Sequence, residues 1–272
     1  MSIINAIILG IVQGLTEFLP VSSSGHLVLL QKIFGITEPT LFFDTMLHTG
    51  TLLAVFAVLW RDIWEILKRI IQPLTGFLIL ATIPAVAAAL VFGDIIEHAF
   101  ESGKFLGVCF LLTSVFLFFS EMVSKHAAAG ALKKREDMNW QDAIFIGVMQ
   151  AVAIAPGISR SGATISGALL RGLDRDFAAR FSFLMSIPAI LGAVVLQTKD
   201  LVKNSGAAET AAESIGAAPI IAGTASAAIV GFFAVKLMLK LIREKSLYGF
   251  AIYTAVVGIF VLFDQFVTHL VF

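Results

Sequence analysis

Cysteine is almost missing from this chain: Cys109 stands alone among 272 residues. An internal disulfide and a cysteine metal cage are therefore excluded, and a single thiol in an apolar run reads as a small packing residue. Charge is scarce as well, at 14% of residues. A soluble domain of this length needs more charge to cover its surface. The formal net charge is zero, so the basic footprint of a nucleic-acid binder is absent. The start, Met1-Ser2-Ile3-Ile4-Asn5, has no basic residue, and a cleaved signal peptide is not expected. No low-complexity linker interrupts the chain, which reads as one membrane domain over residues 1–272.

Hydrophobic residues are abundant, at 58%, and the mean hydropathy is +0.93. They fall into six runs: Leu41–Trp60, Leu74–Phe92, Phe105–Met122, Ala178–Gln197, Ile220–Met238 and Phe250–Leu270. Each approaches the ~20 residues that carry a helix across hydrocarbon. Lipid offers the backbone no hydrogen-bond partners, so spanning segments are helices or a closed barrel. Continuous rather than alternating apolar runs exclude the barrel. The expected fold is an all-α integral membrane protein with about six transmembrane helices plus two re-entrant helix hairpins.

With that topology the Lys and Arg residues outside the polar segments divide 14 to 4 between the two sides. The basic side should be cytoplasmic, which puts both termini outside.

An internal repeat underlies the hairpins. Residues 6–25 align with 143–162 at a constant offset of 137, with seven of twenty positions identical, among them Gln13/Gln150, Ser22/Ser159, Ser24/Ser161 and Gly25/Gly162. Repeat one covers about 1–124 and repeat two about 138–272. Three crossings per repeat would turn the second upside down relative to the first, with interrupted helices meeting near the midplane. The chargeable groups are not duplicated: Glu17 faces Ile154, Ser23 faces Arg160 and His26 faces Ala163. That asymmetry predicts one composite site rather than two equal ones.

The chemistry sits in those two polar segments. An ionisable group in an apolar segment is a functional candidate, and Glu17 shares a helix face with Gln13. Ser22-Ser23-Ser24-Gly25-His26 offers hydroxyls and amides at an interrupted helix, a setting for an anion. One helical turn would bring Ser23 to His26, a pair able to activate a nucleophile or move a proton. Arg160 is the one basic residue outside the flanking loops. A buried guanidinium requires an anion and matches phosphate oxygens, with Ser159, Ser161, Gly162 and Thr164 around it. The competing structural reading is an ion pair between Arg160 and Glu17. Asp44 and His48 sit one turn apart, with Asp44 explicable as an N-cap. Glu121 and Lys236 read as snorkelling groups, and the cluster from Arg171 to Arg180 as a solvated loop.

At these residues the chain resembles the undecaprenyl-diphosphate phosphatases of the bacitracin-resistance type. The resemblance rests on Gln13-Gly14-Leu15-Thr16-Glu17-Phe18-Leu19-Pro20-Val21-Ser22-Ser23-Ser24-Gly25-His26 and on Pro156-Gly157-Ile158-Ser159-Arg160-Ser161-Gly162-Ala163-Thr164. Many members carry Glu where this chain has Gln13. The resemblance implies hydrolysis of a polyprenyl diphosphate lipid to the monophosphate and phosphate in the bacterial plasma membrane. It also implies bacitracin resistance and dependence on a divalent cation, Mg2+ or Ca2+. Glu17, Ser23, His26 and Arg160 are the expected catalytic residues. Gln13, Ser22, Ser24, Gly25, Ser159, Ser161, Gly162 and Thr164 are expected to bind substrate. Ser23 is the preferred nucleophile with His26 as its base, and His26 itself is the other choice. Glu17 would hold His26, move a proton or bind the metal. A homodimer is an open expectation. The competing function is a lipid-phosphate transporter or flippase, since interrupted inverted repeats also build secondary transporters.

Overall fold

The structure, a computed structural model, describes residues 1–36, 40–126, 132–203 and 215–272. Among these residues the regular structure is helical, with one isolated bridge between Lys133 and Leu173. The helices are α1 Ile3–Phe18, α2 Ser23–Ile33, α3 Leu41–Val58, α4 Trp60–Lys68, α5 Pro73–Ser102, α6 Leu106–His126, α7 Trp140–Val152, α8 Arg160–Leu170, α9 Arg175–Lys203, α10 Ala217–Glu244 and α11 Tyr248–Phe263. Six of them, α3, α5, α6, α9, α10 and the α11 region, are long and apolar enough to cross a bilayer. Large apolar side chains such as Leu53, Leu90, Val195, Phe233 and Val256 point outward from these helices. That is the distribution a hydrocarbon solvent favours.

The four helices of the polar segments are shorter. At 1.5 Å per residue, α1 measures about 24 Å, and α2 and α8 about 16 Å, below the ~30 Å hydrocarbon core. The pair α1/α2 breaks at Leu19–Ser22 and the pair α7/α8 at Ala153–Ser159. Proline and glycine at these breaks stop the helices locally: Pro20 in the first, Pro156 and Gly157 in the second. The first residues of α2 and α8, Ser23 and Arg160, are 137 apart, as are their last, Ile33 and Leu170. Ser22 and Ser159 cap the two helices alike, accepting from Gly25 N at 3.3 Å and Gly162 N at 3.0 Å.

Packing crosses between the halves. α1 lies on α10, while α7 lies on α5, and α6 pairs with α11. The α1–α3–α10 seam is a close backbone approach: a methyl group on Gly50 would stand 2.4 Å from the Thr224 carbonyl oxygen. Small residues permit such contact, and dispersion then holds helices that lipid cannot drive together.

Two expectations about charge are corrected at the basic end. Glu121 does not snorkel; it is 1% exposed and accepts from Arg175 Nη1 at 2.9 Å and Leu247 N at 3.1 Å. The stretch from Arg171 to Arg180 is not a loose solvated loop. Arg171 Nε binds Asp142 at 2.7 Å and Arg180 Nη1 binds Asp62 at 2.9 Å. A buried carboxylate demands a paired cation, and these loops supply it.

Candidate active site

The centre of the molecule is built on one carboxylate. Glu17 ends α1 and is 6% exposed. Its Oε1 accepts from Arg160 Nη2 at 2.5 Å, and its Oε2 accepts from Ser23 Oγ at 2.5 Å. Gln13, one turn earlier on α1, donates from Nε2 to the same Oε2 at 3.0 Å. That amide also reaches His48 Nδ1 on α3 at 2.9 Å, and the same ring nitrogen is 3.4 Å from Glu17 Oε2. Arg160 opens α8, and its Nη1 donates to the Ser182 carbonyl on α9 at 3.4 Å. Residues from both polar segments and His48 of α3, 3.4 Å from Oε2, thus converge on one oxygen pair, and α9 holds Arg160. The ion pair set against phosphate binding in the sequence is present, and its geometry serves both readings: a carboxylate occupies the place of an anion beside Arg160.

His26 stands apart from this cluster. Its Nδ1 is 2.7 Å from the Ser22 carbonyl oxygen, and its Nε2 is 2.7 Å from the Tyr253 hydroxyl. Both ring nitrogens are engaged, so the expected Ser23–His26 hydrogen bond is not formed. The cause is local. As the N-cap of α2, Ser22 points its carbonyl along the helix toward the residue four on, where it meets the His26 amide at 3.2 Å and the imidazole at 2.7 Å, as the Ser159 carbonyl meets the Ala163 amide at 2.8 Å. Ser23 is left to face Glu17 instead. The group placed to take a proton from Ser23 is Glu17, not His26.

Of the expected substrate-binding residues, Gln13 joins the ion cluster and the others are engaged within the frame. Ser24 Oγ accepts from Gly157 N at 3.4 Å, and Ser161 Oγ donates to the Leu19 carbonyl at 3.1 Å. Each duplicated serine therefore braces the break of the opposite segment. Ser22, Gly25, Ser159 and Gly162 form the two helix caps. Thr164 Oγ1 bonds the Arg160 carbonyl at 2.8 Å and Ser182 Oγ at 2.6 Å.

Sequence reasoning missed Tyr253, Ser182 and Thr113, which accepts from Ser159 N at 3.0 Å. It gave His48 little weight, although a lone imidazole inside an apolar span was a signal available there. Asp44, its neighbour, accepts from Gln31 at 2.8 Å and Thr40 at 3.2 Å and does not join the cluster.

The donor set bears on a metal. Among the described residues no three His, Cys, Asp or Glu side chains gather to hold an ion. Gln13 Oε1, however, is buried with no partner and lies on the same side chain that bonds Glu17. A hard divalent cation takes such carbonyl and carboxylate oxygens together with substrate phosphates and water. The residues fit a cation shared with substrate, not a dedicated protein cage.

Fold and centre together define a multi-pass helical membrane protein with a buried polar core built on Glu17 and Arg160. The chain belongs to the bacitracin resistance protein BacA family, whose model matches residues 6–260. A relative from Carboxydothermus hydrogenoformans, named undecaprenyl-diphosphatase, is 46% identical over 265 residues, covering 97% of this chain and 98% of that protein. A Bacillus cereus protein named undecaprenyl-diphosphatase 4 is 45% identical over 98% of both chains. One from Methanosphaera stadtmanae, named undecaprenyl-diphosphatase, is 39% identical over 95% of this chain and 96% of its own.

Proposed function

We propose that this chain hydrolyses undecaprenyl diphosphate to the monophosphate and inorganic phosphate, returning the lipid carrier for peptidoglycan synthesis and giving bacitracin resistance. One observation carries the chemistry: Arg160 and Ser23 meet on the two oxygens of Glu17. The terminal phosphate of the substrate exchanges with Glu17 at the Arg160 guanidinium, whose fork fits phosphate oxygens. Glu17 then faces Ser23 without its counter-ion and accepts the Ser23 proton. Ser23 Oγ bonds the terminal phosphorus, and the bridging P–O bond breaks with its electron pair leaving on the lipid monophosphate. In the second step a water hydroxyl bonds phosphorus and the water's remaining proton goes to His26. Glu17 returns its proton to Ser23 Oγ as that bond breaks, and phosphate departs, taking the proton from His26. Arg160 stabilises the charge that develops on the transferred oxygens.

A divalent cation, Mg2+ or Ca2+, would be held by Gln13 Oε1 and Glu17 and would supply charge neutralisation on the diphosphate. The two short helix pairs re-enter from opposite faces as inverted repeats. The basic-residue bias supports a plasma-membrane orientation with both termini outside and the site opening outward. The prenyl tail then stays in lipid while the headgroup alone enters.

The test is phosphate release from undecaprenyl diphosphate by the purified chain in detergent, followed by mass spectrometry of trapped enzyme. Release with a phosphoserine at Ser23 is expected. A phosphohistidine at His26 would overturn the nucleophile. Retained lipid binding without release would favour a lipid-phosphate transporter.

A further inference from the structure

Of the groups around Glu17, His48 is the one that the proposed hydrolysis leaves without a task. It lies on α3, and its Nδ1 is 3.4 Å from Glu17 Oε2. The Gln13 amide closes a triangle with them: its nitrogen is 3.0 Å from Glu17 Oε2 and 2.9 Å from His48 Nδ1. The other end of that amide, Oε1, is buried with no partner. An orphaned amide alone points nowhere, since its repeat partner Gln150 has both ends buried and unpartnered. What the first half adds is a carboxylate and an imidazole. At the offset of 137, Glu17 falls on Ile154 and His48 on Met185, so the copy keeps the amide and lacks both companions.

Neighbouring ligands of an octahedral ion, each at about 2.1 Å, stand about 3 Å apart. The edges of this triangle are 2.9, 3.0 and 3.4 Å. We propose that His48 Nδ1, Glu17 Oε2 and Gln13 Oε1 are the three protein ligands of the divalent cation, and that the imidazole makes Mn2+ its preferred occupant over Mg2+ or Ca2+. The inference rests on the cation reading of the proposed function and goes beyond it by one ligand and by the identity of the ion. A half-turn of the Gln13 amide exchanges nitrogen for oxygen at the shared corner. Without a cation the nitrogen belongs there, because it donates to Glu17. With one, the oxygen belongs there, and the attraction of the ion replaces the lost hydrogen bonds. Glu17 Oε2 then exchanges the amide for the ion and keeps Ser23, while Arg160 stays on Oε1. Oxygen-only sites suit Mg2+ and Ca2+, whereas an imidazole nitrogen favours first-row transition ions. Mn2+ accepts the same carboxylate and carbonyl oxygens and gains the nitrogen. Three protein donors hold the ion before substrate arrives and leave positions for phosphate oxygens and water.

The probe is Mn2+ alone, added to the chelator-treated full chain in detergent, with phosphate release measured separately. Pulsed EPR should show one imidazole nitrogen coupled to the bound Mn2+, changing to the 15N pattern when the histidines carry 15N. His48→Gln should abolish that coupling and weaken Mn2+ binding by on the order of tenfold or more. Its affinity for Mg2+ and Ca2+, read by displacement of Mn2+, should change by less than about threefold. Glu17→Gln should weaken all three ions. Bound Mn2+ without nitrogen coupling in the parent chain overturns the assignment, and that arm needs no variant to fold. Coupling that survives in a folded His48→Gln protein also overturns it, because another histidine is then the ligand. Equal losses of Mn2+ and Mg2+ affinity in His48→Gln overturn the preference. A folded parent chain that binds no Mn2+ overturns the three-ligand site as a whole. Phosphate release without nitrogen coupling leaves the hydrolase reading standing and removes His48 from the site. Coupling that His48→Gln abolishes, in a Mn2+-loaded parent chain that releases no phosphate, refutes the hydrolase reading and leaves the ligand set in place.

Discussion

The two polar segments, Ser22–His26 and Ser159–Thr164, share a frame and differ in what it holds. Both begin with a serine cap, both start a helix of 11 residues, and each lends a serine to brace the other's break. The first carries its cap at φ 71 and the second at φ −70. The first presents Ser23 to Glu17 and His26 to Tyr253, whereas the second presents Arg160. The caps and braces are common to both segments, and the chargeable groups are not. The positive φ lies on the side that carries Ser23 and His26, and the copy with ordinary φ carries Arg160. A guanidinium needs only to be aimed, while the imidazole must present one particular nitrogen.

The largest effect should come from the position that differs most between the copies. Ser23→Ala is expected to lose turnover by on the order of a thousandfold or more and to yield no phosphoenzyme. Ser161→Ala removes a brace at the other segment and should leave turnover within about threefold while costing about 1 kcal/mol of stability. Turnover assays and melting in detergent check both. Equal losses in turnover would erase the division between reacting and bracing serines.

Arg160→Ala comes next. Removing a preorganised charge donor should cost on the order of a hundredfold in kcat/KM. It also leaves the buried Glu17 carboxylate with Ser23, Gln13 and His48 as partners and no guanidinium, at up to about 3–5 kcal/mol. Adding Glu17→Gln to Arg160→Ala should recover most of that stability and none of the activity. Recovery of activity would mean that the pair is structural and that phosphate binds elsewhere.

Much of this architecture was legible in the sequence because lipid is a strict solvent. Each of the six spans had to be a long apolar run, so Leu41 opens both the expected run and α3. The contribution of both segments to one centre was legible too, since Glu17, Ser23 and Arg160 were unmatched in the alignment. The local wiring was not. Helical spacing puts Ser23 and His26 one turn apart but does not decide their partners: Ser23 turns to Glu17, and His26 to the Ser22 carbonyl and Tyr253. The Ser23–Glu17 contact joins residues six apart across the Pro20 break, a spacing that no helix rule covers. Tyr253 lies 227 residues from His26, and a tyrosine in an apolar helix reads first as an interfacial aromatic.

The glycines of the two copies sharpen the comparison at a smaller scale. A methyl group on Gly25 would stand 2.6 Å from the Phe110 ring, the ring that holds His26 edge-on. On Gly162 the nearest atom is Ser159 Cβ at 3.0 Å. Gly25→Ala should therefore destabilise by about 1–3 kcal/mol and slow turnover through His26. Gly162→Ala should cost less and leave kcat nearly unchanged. The reverse order would place the sensitive packing on the arginine side.

The smallest effect is also the one whose sign separates the copies. Ser22 holds a left-handed backbone that a side chain disfavours, so Ser22→Gly removes a strain and narrows nothing in the native state. Replacing a serine cap by glycine costs only a few tenths of a kcal/mol. Relief at positive φ should outweigh it, leaving the protein equal or more stable by up to about 1 kcal/mol. Ser159→Gly has no such relief, because Ser159 sits at φ −70, and should destabilise by about 0.5–1 kcal/mol through added freedom in the unfolded chain. Turnover should run the other way. Glycine also loosens the break that sets α2, the helix that carries Ser23 and His26, so kcat should fall in Ser22→Gly more than in Ser159→Gly. Paired melting curves and kcat values for the two variants measure both halves of the claim. A Ser22→Gly protein that is less stable than Ser159→Gly, with an unchanged kcat, would show that the backbone at Ser22 does not hold Ser23 and His26 in place.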